Sequence, residues 1–199
     1  RIGTGTATKG KGGSISITVG NGDTVAGGVL TLRAGATTTA AAKMSGGHVF
    51  VSTGLSNVHT GGFMSLFTGQ GTATSSGSIV VKTTNAGATG VSGHLTFSSG
   101  TTSSASSGEL RIGTGTATKG KGGSISITVG NGDTVAGGVL TLRAGATTTA
   151  AAKMSGGHVF VSTGLSNVHT GGFMSLFTGQ GTATSSGSIV VKTTNAGAT

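Results

Sequence analysis

The stretch Gly13-Ser14-Ile15-Ser16-Ile17 alternates small polar and apolar side chains directly after a glycine. Alternation with a period of two residues is the pattern of a β-strand that buries one face and exposes the other. The arrangement returns at Gly28-Val29-Leu30-Thr31-Leu32 and five more times before the sequence starts again. The sequence therefore predicts an all-β protein built from short strands.

Seven such segments make up a 110-residue unit, at intervals of mostly 15 residues. They begin at Ser14, Val29, His48, Phe63, Ser78, His94 and Glu109. The second and fourth positions of every segment are apolar: Ile15/Ile17, Leu30/Leu32, Val49/Val51, Met64/Leu66, Ile79/Val81, Leu95/Phe97 and Leu110/Ile112. We interpret these positions as an inward face, and the first, third and fifth positions as an outward face.

Residues 111–199 repeat residues 1–89 without a substitution. The chain thus consists of one repeat unit, 1–110, and a partial identical second copy, 111–199, which we expect to continue the first in one structure. Tandem repetition of this kind is typical of architectures in which every copy adds length. We expect the 199 residues to be a window on a longer array.

The favoured topology is a β-solenoid with one coil of about 15 residues per segment and seven coils per repeat. Glycine pairs such as Gly27-Gly28 would supply positive φ angles at the corners. Runs such as Thr24-Val25, Asn57-Val58-His59 and Thr72-Ala73-Thr74 would form a second, weaker strand in each coil. Tandem β-sandwich domains are the alternative, and a disordered Gly/Ser/Thr linker is a third interpretation.

The composition limits the classes of protein to which the chain can belong. The chain contains 42 Gly and no Pro, Cys, Trp or Tyr. Disulfides and thiolate metal sites are therefore excluded. No segment approaches the ~20 apolar residues of a membrane-spanning helix, and no signal peptide is visible.

The net charge is +9, from twelve Lys and Arg against three acids. Lys9, Lys11 and Lys43 fall in predicted corners, whereas Arg33 and Lys82 fall on outward strand positions. This thin basic surface could attract anionic polysaccharide, a mineral such as silica, or a membrane surface. The alternative is a solvated face that keeps a fibre soluble. Nucleic acid is a poor fit, because stacking aromatics are not interleaved with the basic residues.

No catalytic, cofactor or metal site is predicted. The loop from Gly5 to Gly12 resembles a phosphate-binding loop, but Gly12 stands where a hydroxyl should hold Mg²⁺, and no helix pattern follows. His48 and His94 share the outward face at a separation too large for one metal. Asn21-Gly22-Asp23 indicates a tight turn rather than a calcium site.

The outward aromatics are the candidate functional residues. Phe50, Phe63 and Phe67 occupy outward positions on two consecutive segments, and Val29 and Val80 share their columns. Large apolar residues on a solvated face cost solubility unless something covers them. We predict lateral packing of one fibre on another, with a covering loop as the alternative.

The strand-turn units with glycine corners, such as Gly28-Val29-Leu30-Thr31-Leu32, resemble filamentous β-solenoid adhesins, although those commonly use longer coils. The Ser/Thr/Gly-rich style is also similar to secreted surface proteins of algae and protists. This resemblance implies an extracellular or cell-surface structural setting. We predict a non-enzymatic subunit of a filament, sheath or appendage that associates with itself. The alternatives are a stalk or adhesin that binds anionic carbohydrate or mineral and, from Thr6-Ala7-Thr8 and Thr72-Ala73-Thr74, an ice-binding solenoid.

Overall fold

The computed structural model describes residues 2–38, 44–148 and 155–194. Within these residues the backbone forms neither a helix nor a strand. The predicted β-solenoid of 15-residue coils is therefore wrong, and the tandem β-sandwich fails for the same reason. The chain divides into two units, Arg1–Phe97 and Ser98–Thr199, and each is described by itself. The repeat boundary at residue 110 stays a prediction from the sequence.

The accessible surface shows how little of the chain is buried. It amounts to 20195 Å². A folded monomer of 18.7 kDa would expose roughly 8,300 Å² and its unfolded chain about 27,000 Å². In the part of the chain that the structure describes, no side chain is buried. Hydrophobic burial within one chain therefore contributes little to its stability.

The predicted strands are unbent segments of six residues that find no strand partner within the described residues. In the first unit they are residues 14–19, 29–34, 48–53, 63–68 and 78–83, and a further one, residues 94–99, begins in the first unit and ends in the second. Alternate side chains differ in exposure, as in an extended chain. Met64 and Leu66 are 50% and 68% exposed, whereas Phe63 and Phe67 in the same segment are 88% and 91% exposed. The two faces thus exist locally, but neither is covered.

Between segments the chain forms loops that are closed by one backbone hydrogen bond between two glycines. We call these the closed loops, and the second glycine of each is its closing glycine. In the first unit the closing bonds run from Gly13 N to Gly5 O (3.5 Å), Gly28 N to Gly20 O (3.1 Å), Gly47 N to Gly35 O (2.8 Å), Gly62 N to Gly54 O (2.9 Å) and Gly77 N to Gly69 O (3.0 Å). The loop after residues 78–83 differs, since it contains a tight turn from Gly87 O to Gly90 N (3.1 Å).

The second unit forms closed loops at four of the five corresponding positions, and no such bond joins Gly123 to Gly115, the counterparts of Gly13 and Gly5. The bonds run from Gly138 N to Gly130 O (3.4 Å), Gly157 N to Gly145 O (2.8 Å), Gly172 N to Gly164 O (2.9 Å) and Gly187 N to Gly179 O (3.0 Å). The three bonds after the first match their counterparts in length. Loop closure therefore recurs where the local sequence is repeated, except at the longest of these bonds, the 3.5 Å one between Gly13 N and Gly5 O.

The predicted weaker strands are bends inside the closed loops. The backbone bends at residues 23–25, 57–59 and 72–74, where Thr24-Val25, Asn57-Val58-His59 and Thr72-Ala73-Thr74 lie. A loop whose ends are joined at its base must reverse direction within a few residues, so its middle cannot run straight. The prediction of a second strand in each unit was wrong.

The role predicted for the glycines was also wrong. None of the described glycines has a φ between +20° and +160°. The closing glycines instead allow close approach of the two ends of a loop. A Cβ on Gly28 would overlap the Val19 side chain, and a Cβ on Gly62 would lie 3.2 Å from Cβ of Thr53. Inside one loop, Gly22 approaches the carbonyl groups of Val25 and Ala26 so closely that a Cβ would overlap them.

The absence of strands within the described residues has a physical reason. Each segment offers a single aliphatic stripe, and one hydrogen bond per loop does not hold two neighbouring segments side by side. Ordering a residue costs about 1–2 kcal/mol of backbone conformational entropy. A two-stranded hairpin is at best marginally stable in water without further strands or a partner. The pattern therefore specifies the two faces of each segment, but not the neighbouring segment with which it would pair as a β-strand.

Candidate assembly surface

The outward face carries widely exposed aromatic side chains. Phe50, Phe63 and Phe67 lie on the unbent segments 48–53 and 63–68, and each ring is about nine-tenths exposed: 88%, 88% and 91%. Val29 and Val80 occupy outward positions on their own segments and are also exposed. No described loop covers these five side chains. We call them the outward apolar residues, and their role in assembly stays a prediction.

One of the three aromatic rings has a partner within its segment. The rings of His48 and Phe50 are 5.8 Å apart between centroids and are tilted by 45°. His158 and Phe160 in the second unit repeat the arrangement at 5.7 Å. Residues two apart can bring their rings together only when both side chains leave the same side of an extended backbone. The pair therefore places His48 on the outward face and leaves most of the Phe50 ring free.

The inward face is also open. Its aliphatic residues in the first unit are less exposed than the outward phenylalanines, at between 50% and 73%. None of the described ones is buried. In segments 48–53 and 63–68 both faces therefore carry apolar surface in contact with water, which is unusual for a monomeric protein.

The predicted basic residues are spread over two kinds of place. Lys9 and Lys11 lie in the closed loop from Gly5 to Gly13, on and just after its bend at residues 8–10. Arg33 and Lys82 occupy the fifth position of their segments and are exposed. Lys43 lies outside the described residues. The described basic residues do not converge on one patch along the sequence, and their role as a basic surface stays a prediction.

One ion pair forms in the described part of the chain. Arg111 Nε lies 2.9 Å from Glu109 Oε2, and both side chains are largely exposed. An exposed pair of this kind contributes about 0–1 kcal/mol. The pair occupies the first and third positions of its segment, so both side chains lie on the outward face. It does not indicate a functional site.

Hydroxyl groups support several closed loops. Thr4 Oγ1 donates to Gly13 O (3.1 Å), and Thr37 Oγ1 donates to Ser45 O (2.9 Å). The backbone N–H of His59 donates to Ser56 Oγ (3.0 Å) at the bend of its loop. Thr114, Thr147 and Ser166 make the same bonds in the second unit, at 3.2, 2.9 and 3.0 Å. The threonine and serine therefore act as local supports that do not require a core.

The pairing of glycines at the base of each loop was not predicted from the sequence. Its signal is the return of glycine eight residues after the glycine that ends a segment, as at Gly20/Gly28, Gly54/Gly62 and Gly69/Gly77. Spacing alone does not distinguish a closed loop from a solenoid corner. The hydrogen bond that joins the two glycines makes the distinction.

The described residues contain no cavity and no group of three or more His, Asp or Glu side chains that could hold a metal. They also contain no helix that is long and apolar enough to cross a membrane. The chemistry that the structure presents is therefore that of exposed surfaces: apolar faces on the segments, and hydroxyl, amide and amino groups on the loops. No protein-family model, curated protein or solved structure matches this chain.

Proposed function

We propose that this protein is a non-enzymatic structural subunit that associates with further copies of itself into an extracellular filament or sheath. The observation that carries the proposal is the exposure of the inward apolar face of every described segment, together with the exposure of the outward phenylalanines on segments 48–53 and 63–68. The exact repetition of these faces in a second copy gives one chain several identical attachment surfaces. The extracellular setting rests on the resemblance of the sequence to secreted surface proteins.

The energy of association comes from covering these faces. Burying one phenylalanine side chain contributes about 1.5–3 kcal/mol. Three outward phenylalanines per repeat, Phe50, Phe63 and Phe67, therefore offer roughly 5–9 kcal/mol before ordering costs. Linking identical surfaces in one chain raises the strength of association further, because the second contact forms within the same complex.

The test measures association of the full chain as a function of concentration, by sedimentation velocity and light scattering. In the first variant, Phe50, Phe63 and Phe67 and their copies Phe160, Phe173 and Phe177 are changed to Ser. We expect the concentration needed for association to rise by about a hundredfold or more, since each lost ring removes about 1.5–3 kcal/mol of burial. Changing salt from low to moderate should alter association by less than about threefold, because apolar contacts are weakly screened.

A matched control removes apolar surface from the loops instead. Val25, Leu55 and Val58 and their copies Val135, Leu165 and Val168 are as widely exposed, but they lie in closed loops. Changing these six to Ser should shift association by less than about threefold. A chain that stays monomeric at every concentration would refute the proposal. Equal loss in the loop variant and the phenylalanine variant would refute the assignment of the surface.

One observation favours a second function, the binding of anionic polysaccharide or mineral. The closed loop from Gly5 to Gly13 carries Lys9 and Lys11 and contains no acid. The test measures binding of a sulfated polysaccharide. Binding that falls steeply with salt would support this function. So would loss of binding when Lys9, Lys11 and their copies Lys119 and Lys121 are all changed to Gln. The ice-binding alternative has no such support, because residues 72–74 lie on a bend rather than on a flat array.

A further inference from the structure

The two glutamines of the chain occupy one defined position. Gln70 and its copy Gln180 are the only glutamines in the sequence, and each lies between two glycines. Each is the second residue of a closed loop, whose bases are joined by Gly77 N to Gly69 O and by Gly187 N to Gly179 O, both at 3.0 Å. The carboxamide thus recurs once per repeat at a fixed place on the surface.

The surroundings of Gln70 leave its carboxamide accessible. Gln70 is exposed, and its carboxamide makes no hydrogen bond within the described residues. A Cβ built on Gly69 would meet nothing within 4 Å. On the other side, Gly71 is half-buried, with its backbone against the Ser75 carbonyl, and Gly181 in the second copy also donates its N–H to Ser186 Oγ (3.3 Å). The loop therefore packs against Gly71, whereas the position of Gly69 is unobstructed out to 4 Å.

Exposed primary amines are also present in every copy. Lys9, Lys11 and Lys82 are exposed, and none of them forms an ion pair within the described residues. An amine without a carboxylate partner is free to be approached and deprotonated by an enzyme. The chain contains no Cys and no Tyr, so disulfide and dityrosine cross-links are excluded by composition.

We propose that Gln70 and Gln180 are acyl-donor sites for enzymatic cross-linking to lysine amines of a second copy of this chain. The enzyme would belong to the transglutaminase class of acyl transferases. The bond from Cδ to the carboxamide nitrogen of Gln70 breaks, a bond from Cδ to the lysine Nζ forms, and ammonia leaves with the proton that the amine gives up. No oxidant or reductant is needed. The identity of the acceptor chain rests on the self-association proposed above, whereas the acyl-donor site rests on the loop geometry.

The chain offers a matched loop for the test. Asn21 occupies the same position in the closed loop from Gly20 to Gly28, between Gly20 and Gly22. Gly22, like Gly71, lies against carbonyl groups a few residues further along its loop, and a Cβ on Gly20 would meet nothing within 4 Å. The two loops thus present an amide in the same setting, and their side chains differ by one methylene.

The first experiment treats the full chain, at a concentration below association, with a calcium-independent transglutaminase and a fluorescent primary amine. Peptide mapping by mass spectrometry should locate the label on Gln70 and Gln180. The Gln70→Asn, Gln180→Asn chain should incorporate at least about tenfold less label, because these enzymes act on the longer amide. Adding Asn21→Gln and Asn131→Gln to that chain should restore labelling through the matched loops.

Labelling of the free peptide of residues 69–77 without labelling of the chain would overturn the inference, since the loop would then hide the amide. Failure of Asn21→Gln to restore labelling would also overturn it, because accessibility of this loop position carries the argument. The second experiment omits the small amine and raises the chain concentration. Gln–Lys isopeptides to Lys9, Lys11, Lys82 or their copies between two chains are expected.

The two proposals fail in distinguishable ways. Label on Gln70 with no association and no isopeptide between chains would retain the acyl-donor site and refute self-association. A second outcome is that sedimentation detects association and Gln70 is labelled, but no Gln–Lys isopeptide forms. That outcome would retain self-association and refute the lysine as acceptor. Both proposals would be supported if isopeptides form between chains and disappear in the Gln70→Asn, Gln180→Asn chain while sedimentation is unchanged.

Discussion

The closed loops and the unbent segments follow different rules. Each closed loop satisfies part of its own backbone: the bond from Gly62 N to Gly54 O and the support from Ser56 to His59 lie inside one stretch of nine residues. The neighbouring segment 63–68 has an ordered alternation of faces, but its apolar side chains face water. The loops carry their partners within themselves, whereas the segments depend on partners supplied from elsewhere.

This difference explains why a chain with a regular apolar pattern has no core within its described residues. Hydrogen bonds between residues eight apart cost little chain entropy to form. A hydrophobic face has no such local solution, because residues of one six-residue segment cannot cover one another. The loops therefore define where each segment begins and ends, and the segments remain available for contact with other copies.

The largest effect is expected from a charge placed on the inward face. We predict that Ile17→Lys with Ile127→Lys raises the concentration needed for association by about tenfold or more, since burial of about 1.5–3 kcal/mol per side chain is lost. Light scattering over a concentration series measures the shift. The control is Ser16→Lys with Ser126→Lys, one residue away on the outward face, where no phenylalanine lies. Equal shifts in both variants would show that the inward face is not covered in the assembly.

A smaller and local effect is expected from a methyl group inside a loop. In Gly22→Ala the new Cβ would overlap the carbonyl of Val25, so the loop must open and the bond from Gly28 N to Gly20 O should be lost. We expect hydrogen-exchange protection of the Gly28 amide to fall by about tenfold, equivalent to ~1.4 kcal/mol. Gly20→Ala, where a Cβ meets nothing within 4 Å, should change it by less than about twofold. Protection retained in Gly22→Ala would contradict the close approach.

The smallest effect is expected from removing one hydroxyl. Thr37→Val deletes the bond from Thr37 Oγ1 to Ser45 O (2.9 Å), which stands beside the closing bond of the loop from Gly35 to Gly47. A hydrogen bond of this kind contributes about 0.5–1.5 kcal/mol, so protection of the Gly47 amide should fall by about two- to tenfold. Amide exchange followed by nuclear magnetic resonance measures it. The unchanged second copy, with Thr147 bonded to Ser155 (2.9 Å), is an internal reference.

For that last variant, Thr38→Val is the matched control, because Thr38 makes no hydrogen bond within the described residues. A loss of protection in Thr38→Val as large as in Thr37→Val would mean that the methyl group, and not the missing donor, opens the loop. Loss of protection in the second copy would mean that the two copies are coupled. Neither outcome is expected if each loop is a local structure.

Part of this architecture could be predicted from particular residues. The alternation in Phe63-Met64-Ser65-Leu66-Phe67 predicts two faces, because side-chain direction in an extended chain depends only on sequence position. The predicted burial of one face was wrong, since Met64 and Leu66 are 50% and 68% exposed. The glycines correctly mark where segments end. Their pairing across a loop, and the bends at Asn57-Val58-His59, could not be predicted, since the same spacing suits a solenoid corner. The assembly role of Phe50, Phe63 and Phe67 stays a prediction from the sequence, whereas the setting of Gln70 required the loop geometry.

The sequence alone determined the exact repeat, the two faces of each segment, the positive charge and the absence of thiol chemistry, because these follow from residue order and residue type. Only the tertiary structure decided whether segments pair with one another, because pairing depends on loop closure and on surface that distant residues would have to cover. In the described part of the chain nine loops close through a hydrogen bond between two glycines, and the segments stay unpaired with their apolar faces open. A sequence pattern predicts which face of a segment is apolar. Only the arrangement of the whole chain determines whether that face is covered, and by which residues.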